Sequence, residues 1–396
     1  MNIPDNLHIH PLNAPDVRVP DASLAPLQSL YAAPDPFDAA GTEGVFLDAV
    51  RAVAARHVAR NEFYRTFFSR AAFRPDDIRT AADLPRIPML HANFYKTHET
   101  LTARPEEVVL HLTSSGTSGQ KSQMFFDDWT IFASDKSADK IFSRFGYVTD
   151  SPVNYLLYSY EPAPGMNVGT LRTRQAMRRY APEHSLAYAL RWTGSAHEFD
   201  LFGCMEALRR YAREGLPVRL LGFPAFLYFT LERMREMGEP PLRLHPESLV
   251  VMGGGWKGFV GRALAPAEFR AYVGERLGIP PDRCHETYGA VEHGVAYLDC
   301  PRHHFHVPIY SRAFIRDVKT LAPLPFGRPG FLNVVSPMNT AVPVVSLLLG
   351  DMACLHPAEE CGCGVPTPWF EILGRAGTSK NKSCAIAAAE LLRKGR

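Results

Sequence analysis

The apolar positions of this chain change their spacing along its length, and each spacing predicts a different kind of element. Over the first hundred residues a helical period dominates, and the apolar positions between 46 and 68 predict a packed helical face. Short apolar runs and longer amphipathic segments then alternate, which predicts strands at 155–158, 218–222 and 248–255 and helices at 199–214, 226–237 and 266–277. This alternation favours an α/β fold with a largely parallel sheet.

After residue 300 the pattern changes to short strands separated by proline and glycine turns, such as 330–335. This pattern predicts a β-rich region with more antiparallel strand pairing. We therefore expect four segments, which are a mostly helical 1–98, an α/β core 99–300, a β-rich subdomain 301–373 and a short tail with a helix, 374–396.

Composition excludes several classes of partner. The chain has 43 Lys and Arg residues against 41 Asp and Glu residues, and a formal net charge of +2 gives no electrostatic basis for binding nucleic acid. No apolar run approaches the roughly 20 residues of a membrane-spanning helix, and the first residues lack the pattern of a signal peptide. Seven cysteines spread over a long chain do not indicate a disulfide framework. These features predict a soluble, cytoplasmic protein without a membrane span.

A run of small and hydroxylated residues separates two apolar segments, 108–112 and 123–126. The run contains Ser114, Ser115, Gly116, Thr117, Ser118 and Gly119, and Lys121 follows it. Glycines let the backbone approach a ligand, and successive N–H groups together with hydroxyls form an anion site, so phosphate is the expected guest. The glycine spacing excludes a Walker A loop, and a three-glycine Rossmann fingerprint is absent. A polar surface turn is the alternative.

Two later segments add groups that suit a nucleotide. Gly253, Gly254 and Gly255 end an apolar strand, where backbone without side chains can lie against a planar ring. The stretch 286–292 then brings Tyr288, which can stack on a base, together with Gly289 and Glu292, whose carboxylate can hold Mg²⁺ against phosphate oxygens. A tight turn and an ordinary solvated carboxylate are the alternatives.

Near the end of the chain, two more strands finish in polar groups. Asp351 follows a glycine after an apolar strand, where its carboxylate can accept two ribose hydroxyls. Arg375 follows an alternating strand and can contact phosphate or ribose through its planar guanidinium. Each of these residues alone is also typical of an ordinary turn. Only the order in which all the segments occur along the chain is specific enough to indicate a family.

In that order, the segments resemble the motifs of the ANL superfamily of adenylate-forming enzymes. The hydroxyl loop is similar to its phosphate loop, Tyr288 to Glu292 to its Tyr-Gly-x-x-Glu motif, Gly350-Asp351 to its ribose-binding pair, and Gly374-Arg375 to its Gly-Arg segment. Within the superfamily the chain resembles the LuxE-type acyl-protein synthetases most, from about residue 85 to the end. That closer resemblance includes the form of the hydroxyl loop and the segment 383–387.

The resemblance implies a large N-terminal domain of two stacked α/β subdomains plus a smaller β-rich subdomain, with the adenylation core in 99–300. Only 21 residues follow Arg375, so the usual swinging C-terminal domain is expected to be absent. The phosphate loop also departs from the superfamily, because Lys121 and Ser122 stand where its Pro-Lys is usual. We count Lys121 with Glu292 among the catalytic residues.

The implied activity is ATP-dependent activation of a carboxylic acid to an acyl adenylate, with ATP and Mg²⁺ as cofactors. In this interpretation Gly253 to Gly255 and Tyr288 frame the adenine, Asp351 orients the ribose, and Glu292 holds Mg²⁺. The acid itself stays open, since fatty, aromatic and amino-substituted acids all suit the motifs.

The second half of the reaction is expected at Cys384. The sequence around it predicts a serine N-cap and an alanine-rich helix, and a helix N-terminus with nearby lysines lowers the pKa of a thiol. Members of the LuxE-type family carry the acyl group on a C-terminal cysteine, which implies that Cys384 takes it and passes it to a reductase, a carrier protein or CoA. Two alternatives are a CoA or carrier-protein ligase of the phenylacetate type with a structural Cys384, and a nucleotide-binding protein without catalysis.

A separate cluster suits a metal. Cys300 and His306 precede Cys361 and Cys363 by about 55 residues, and these four ligands suit tetrahedral structural zinc, with His304 as a substitute histidine. Cys-x-Cys is tighter than the usual spacing, and isolated cysteines beside a histidine-rich turn are the alternative.

Overall fold

The computed structural model describes residues 7–113, 122–256 and 263–376. Its α-helices are α1 Ala25–Ala32, α2 Ala39–Arg60, α3 Glu62–Arg70, α4 Asp128–Arg144, α5 Gly169–Met177, α6 Leu201–Glu214, α7 Pro224–Glu236 and α8 Pro266–Leu277. Its strands are β1 Leu90–His91, β2 Val108–Thr113, β3 Gln123–Asp127, β4 Val153–Tyr160, β5 Glu183–Trp192, β6 His197–Phe199, β7 Val218–Gly222, β8 Leu249–Gly253, β9 Cys284–Tyr288, β10 Tyr297–Leu298, β11 Phe305–His306, β12 Arg312–Arg316, β13 Pro323–Leu324, β14 Gly330–Val335, β15 Ser346–His356 and β16 Trp369–Arg375. None of the described helices is both long and apolar enough to cross a membrane.

The chain divides into two compact units, which we name after their sheets. The parallel-sheet unit consists of Met1–Leu12, Phe145–Tyr288 and Leu298–His303. The antiparallel-sheet unit consists of Asn13–Arg144, Gly289–Tyr297 and His304–Arg396.

The parallel-sheet unit is built on a seven-stranded sheet with helices packed against it. Its strand order is β10-β9-β8-β7-β4-β5-β6, and the neighbouring strands from β9 through β5 run parallel. Every residue of β7 is buried, as expected for a strand covered on both faces. Residues of α6, α7 and α8 pack with Leu220, Val250 and Met252 in one apolar core. The predicted α/β architecture with a largely parallel sheet is confirmed.

In this unit, the residues at which helices and strands begin and end are set by capping residues and glycines rather than by the spacing of apolar residues. The predicted helix 199–214 begins only at Leu201, because Phe199 ends β6 and the Asp200 side chain accepts a hydrogen bond from the Gly203 N–H as the N-cap. Likewise, the predicted strand 248–255 ends at Gly253, since Gly254 and Gly255 take φ values of 81° and 69°. The left-handed region stops the strand there.

The antiparallel-sheet unit combines α1 to α4 with a sheet of strand order β11-β16-β15-β14-β12-β13. All neighbours along that path are antiparallel, and β1 adds a parallel pairing with β15. The strands β2 and β3 form a separate antiparallel pair that flanks the predicted phosphate loop. The predicted antiparallel region after residue 300 is therefore confirmed.

The continuous helical face predicted for 46–68 was wrong in one respect, because the chain forms two helices that meet at Asn61. The Asn61 side chain accepts a hydrogen bond from the Tyr64 N–H at 2.9 Å and so caps α3. Its amide donates to the Leu101 carbonyl at 2.9 Å. The Asn61 backbone is therefore extended rather than helical, and its side chain makes both hydrogen bonds. The spacing of apolar residues carries no information about such contacts.

Candidate active site

Glu292 is a buried carboxylate of the antiparallel-sheet unit. Burial raises the pKa of Glu292 above its ordinary value, while the Ser122 hydroxyl and the charges of Lys96 and Arg375 act in the opposite direction. A carboxylate that is costly to ionise, with two cations and a hydroxyl around it, is typical of a functional site.

The turn that carries Glu292 is held on both sides within the same unit. The Ser134 hydroxyl on α4 donates to the Gly294 carbonyl at 2.9 Å. Gly294 has φ +77°, and a Cβ there would lie 2.9 Å from the Met338 sulfur, so only glycine fits this position. A hydrogen bond of 2.9 Å joins His293 Nε2 to the Tyr297 hydroxyl. These contacts fix the backbone on which Glu292 sits.

Asp351 and Arg375 lie opposite each other on β15 and β16. The Arg375 Nε lies 3.9 Å from Asp351 Oδ1, and 67% of the arginine side chain is exposed. This distance is at the limit of an ion pair, so little Coulomb energy holds the two groups together. The exposed Arg375 side chain can turn toward a ligand at modest cost. Sheet register thus brings together two residues that the sequence placed in separate motifs.

The glycine segment and Tyr288 belong to the parallel-sheet unit. Gly253 is the last residue of β8 and is the register partner of Thr287, the residue before Tyr288 on β9. A Cβ on Gly253 would lie 2.8 Å from the Arg174 Nη2 and would overlap the Thr287 hydroxyl. Close packing therefore requires glycine here. Gly254 and Gly255 are exposed beyond the strand end. Gly289 begins the next segment, in the antiparallel-sheet unit.

Several predicted site residues lie outside the described residues. They are Ser114, Ser115, Gly116, Thr117, Ser118, Gly119, Lys121 and Cys384. Their roles stay predictions.

Part of the predicted metal cluster lies within the antiparallel-sheet unit. Ligand atoms of His306, Cys361 and Cys363 lie within 4.8 Å of one another. His306 Nδ1 is 2.7 Å from the Thr367 carbonyl oxygen, which can only accept, so Nδ1 carries the proton. The other ring nitrogen, Nε2, therefore carries a lone pair, and it lies 3.2 Å from the Cys363 sulfur.

The electrostatics of this cluster also suit a metal. Burial lowers the pKa of His306 to about 4, which keeps the imidazole neutral at physiological pH. A neutral imidazole whose far nitrogen donates to a carbonyl is the usual arrangement of a ligating histidine. His304, the substitute in the sequence prediction, lies with its Nδ1 3.1 Å from the Cys361 sulfur. Cys300, predicted as a further ligand, is fully buried.

Sequence reasoning did not include Lys96 among the site residues, although its charge acts on Glu292. It also missed a buried group in the parallel-sheet unit, where Asp299 bridges two imidazoles. The Asp299 carboxylate lies 2.7 Å from His285 Nδ1 and 3.1 Å from His303 Nδ1. Lys96 has no local sequence signal, because Glu292 is distant in the chain. The Asp299 group forms only because the fold brings His285, fourteen residues earlier, to the same carboxylate.

Comparison with known proteins gives these residues a context. Residues 26–393 match the family model described as "Acyl-protein synthetase, LuxE". The chain belongs to this acyl-protein synthetase family. Two relatives named long-chain-fatty-acid–luciferin-component ligase match this LuxE-family chain. The Vibrio harveyi protein is 26% identical over 84% of both chains. The Aliivibrio fischeri protein is 25% identical over 85% of this chain and 86% of its own.

Solved structures of 2-hydroxyisobutyryl-CoA ligase share the fold. Its open conformation, in complex with 2-HIB-AMP and CoA, has a TM-score of 0.64 at 16% identity and covers 93% of this chain and 82% of that chain. The postadenylation state, with 2-HIB-AMP, also has a TM-score of 0.64 and 16% identity, over 95% and 77% of the two chains.

Family and fold together confirm the predicted class of enzyme. This LuxE-family protein is a ligase that uses ATP to activate a carboxylic acid to an acyl adenylate and transfers the acyl group to a thiol. The predicted resemblance to the LuxE type is confirmed by the family match, and the predicted fold is confirmed by its likeness to these ligase structures.

Proposed function

We propose that this ligase activates a long-chain fatty acid and carries the acyl group on Cys384 before passing it to a partner protein. The relatives named for long-chain fatty acids, aligned over most of both chains, support the choice of acid. The structural observation that carries the proposal is the buried Glu292, surrounded by Ser122, Lys96 and Arg375.

Glu292 is proposed to hold Mg²⁺. Its donor chemistry fits, because Mg²⁺ prefers one or two carboxylates together with substrate phosphate oxygens. The raised pKa of Glu292 reflects the cost of a buried negative charge, and a divalent cation offsets that cost. When bound, the ion supplies positive charge against the phosphates of ATP.

Other residues are proposed to hold the nucleotide. Asp351 accepts hydrogen bonds from the ribose hydroxyls, and Arg375, exposed beside it, donates to ribose or phosphate. Gly253 to Gly255 and Tyr288 frame the adenine, as their motifs in the superfamily imply. The loop 114–119 and Lys121 contact the phosphates.

In the first step, a carboxylate oxygen of the acid attacks the α-phosphorus of ATP. The new P–O bond forms as the bond to pyrophosphate breaks, which leaves an acyl adenylate. In the second step, the Cys384 thiolate attacks the acyl carbonyl carbon, the thioester forms and AMP leaves. The acyl group then passes to a reductase, a carrier protein or CoA.

A zinc ion is proposed at the cysteine and histidine cluster. The neutral His306 with its carbonyl partner and the thiols of Cys361 and Cys363 are the donors that structural zinc prefers. Cys300, six residues before His306, is the proposed fourth ligand from the sequence pattern. The role is structural, since the cluster ties β11 to the turn before β16.

We also propose that the enzyme works in the cytoplasm. The six cysteines of the described residues form no disulfide bond. Free thiols and a thiol acyl carrier suit a reducing compartment.

The proposal is tested by pyrophosphate exchange and by mass spectrometry of the intact protein. Wild type should exchange labelled pyrophosphate into ATP with myristate or stearate far better than with benzoate, and should form a hydroxylamine-labile acyl adduct. Cys384→Ala should lose the adduct but keep the exchange, because activation precedes transfer. The matched control is Cys204→Ala, which should keep both, since burial raises the pKa of Cys204 to about 12.

An adduct that persists in Cys384→Ala would refute the role of this thiol. Acyl-CoA formation at the wild-type rate in that variant would instead favour a CoA ligase with a structural Cys384. Absence of exchange with every acid would refute the substrate class.

A further inference from the structure

A buried guanidinium lies where the parallel strands of the parallel-sheet unit end. Arg174, on α5, is only 5% exposed. Its Nη2 donates to the Gly222 carbonyl at a long 3.5 Å, and its Nη1 lies 3.3 Å from the Met177 sulfur. The polar contacts of the Arg174 guanidinium are thus one long hydrogen bond to a carbonyl and one contact with a thioether sulfur.

The contacts of Arg174 differ from those of the other arginines on the same segment. Arg172 donates to the carbonyls of Leu7 and His8 at 3.1 Å each. Arg178 donates from Nε to the Glu183 carboxylate at 3.0 Å. Among residues 7–113, 122–256 and 263–376, by contrast, no carboxylate lies within ion-pair distance of Arg174.

The position of Arg174 is therefore costly for the protein alone. Burial lowers the pKa of Arg174 to about 10, which still leaves it charged at neutral pH. A buried charge is ordinarily paired, because removing an ion from water without a counter-charge costs several kcal/mol. An anion that binds beside Arg174 would supply the missing partner.

The surroundings of Arg174 are those of a ligand site. Gly222 and Gly253 are the last residues of β7 and β8, and ligands of open α/β sheets bind at the carboxyl ends of the strands. A Cβ on Gly253 would lie 2.8 Å from the Arg174 Nη2, so the bare glycine lets the guanidinium lie close to the end of β8. The Thr287 hydroxyl, which donates to the Met252 carbonyl at 3.2 Å, adds a second polar group there.

We propose that Arg174 binds the carboxylate of the acid substrate before its activation. The inference rests on the proposed function, because it presumes a carboxylic acid substrate. A planar guanidinium pairs with a carboxylate through two parallel hydrogen bonds, which holds the carboxylate ionised and oriented as a nucleophile.

The test compares Arg174→Gln with wild type in pyrophosphate exchange. The KM for the fatty acid should rise about 10- to 100-fold, as expected for the loss of charge-assisted hydrogen bonds. The KM for ATP should stay within about twofold. Arg174→Lys keeps the charge but loses the two-pronged geometry, so its acid KM should lie between the two.

Two further measurements separate binding from folding. The affinity for a non-hydrolysable acyl-sulfamoyl adenosine should change little in Arg174→Gln, since this analogue has no free carboxylate. Arg178→Gln removes a buried arginine that already has a carboxylate partner, so it should lower the melting temperature and leave the acid KM unchanged. If Arg174→Gln does not fold, Arg174→Lys decides the question by the same constants.

Unchanged acid KM in both Arg174 variants would overturn the inference, and so would an equal loss of affinity for the adenylate analogue. Either result is distinct from failure of the proposed function, in which wild type itself shows no exchange with any acid.

Discussion

Each of the two units of this enzyme buries a charge that its proposed function uses, a carboxylate in one unit and a guanidinium in the other. In the antiparallel-sheet unit, Glu292 is buried among Lys96, Arg375 and a hydroxyl, yet burial still raises its pKa. In the parallel-sheet unit, Arg174 is buried with no carboxylate beside it among the described residues. Buried charges whose cost the protein does not offset are typical of binding sites. In the proposed function, Glu292 serves the cation of the nucleotide and Arg174 serves the anionic acid.

The largest effect is expected from removing the negative member of this pair. Glu292→Gln keeps the shape of the side chain but removes its charge, so pyrophosphate exchange should fall at least about 10²-fold. The loss should appear mainly in kcat and in the Mg²⁺ dependence, with little change in the acid KM.

Glu286→Gln is the matched control for this variant. Burial and the nearby Asp299 raise the pKa of Glu286 as well, but this residue belongs to the other unit. Exchange in Glu286→Gln should stay near wild type. If both variants lose exchange equally, the special role of Glu292 is wrong.

An intermediate effect is expected at the metal cluster. Cys361→Ser should reduce bound zinc from about one ion per chain to nearly none and lower the melting temperature by roughly several degrees. Zinc is measured by elemental analysis of the purified protein.

His303→Gln, in the parallel-sheet unit, is the comparison variant for zinc. Its imidazole lies 3.1 Å from Asp299, in a group with His285 that is separate from the cysteine and histidine cluster. Zinc should therefore stay bound in His303→Gln. Zinc in neither variant nor wild type would refute the metal site.

The smallest effect concerns stability and pH. Because burial raises the folded-state pKa of Glu292 above its unfolded value, the folded protein binds this proton more tightly than the unfolded chain does. That contribution is fully present at low pH and is lost as the pH rises through the raised pKa. At neutral pH without nucleotide, Glu292→Gln should therefore melt slightly higher than wild type, by about 2 °C or less.

Calorimetry at several pH values checks this prediction. The gap between Glu292→Gln and wild type should shrink as the pH falls toward the ordinary glutamate value of 4.5. A gap that widens on acidification would mean that the carboxylate stabilises the fold, which is the opposite of the expected sign.

Glycine and proline residues at the ends of elements explain which bounds could be predicted. The bounds of β7, α8 and β14 match the predicted ranges, because glycine or proline marks an end of each. The boundary at Asn61 could not be predicted in this way. It depends on a hydrogen bond to Leu101, forty residues away, and apolar spacing carries no information about such a partner.

The same limit applies to the site. Motif order singled out Glu292, Asp351 and Arg375, since each stands in a recognisable short segment. The expected strand end at Asp351 was wrong, because β15 continues through this residue to His356. Motif order gave no reason to select Lys96 or Arg174, which have no motif of their own and were singled out only by the groups that the fold places around them.

By itself, the sequence determined the fold class, the enzyme family and the kinds of donor that the chemistry needs, because these are recorded in short segments. The tertiary structure decided which donors meet. The register of β15 and β16 sets Asp351 opposite Arg375, and burial decides that Glu292 and Arg174 carry costly charges. Register and burial depend on the whole sheet, so no single stretch of the chain contains them.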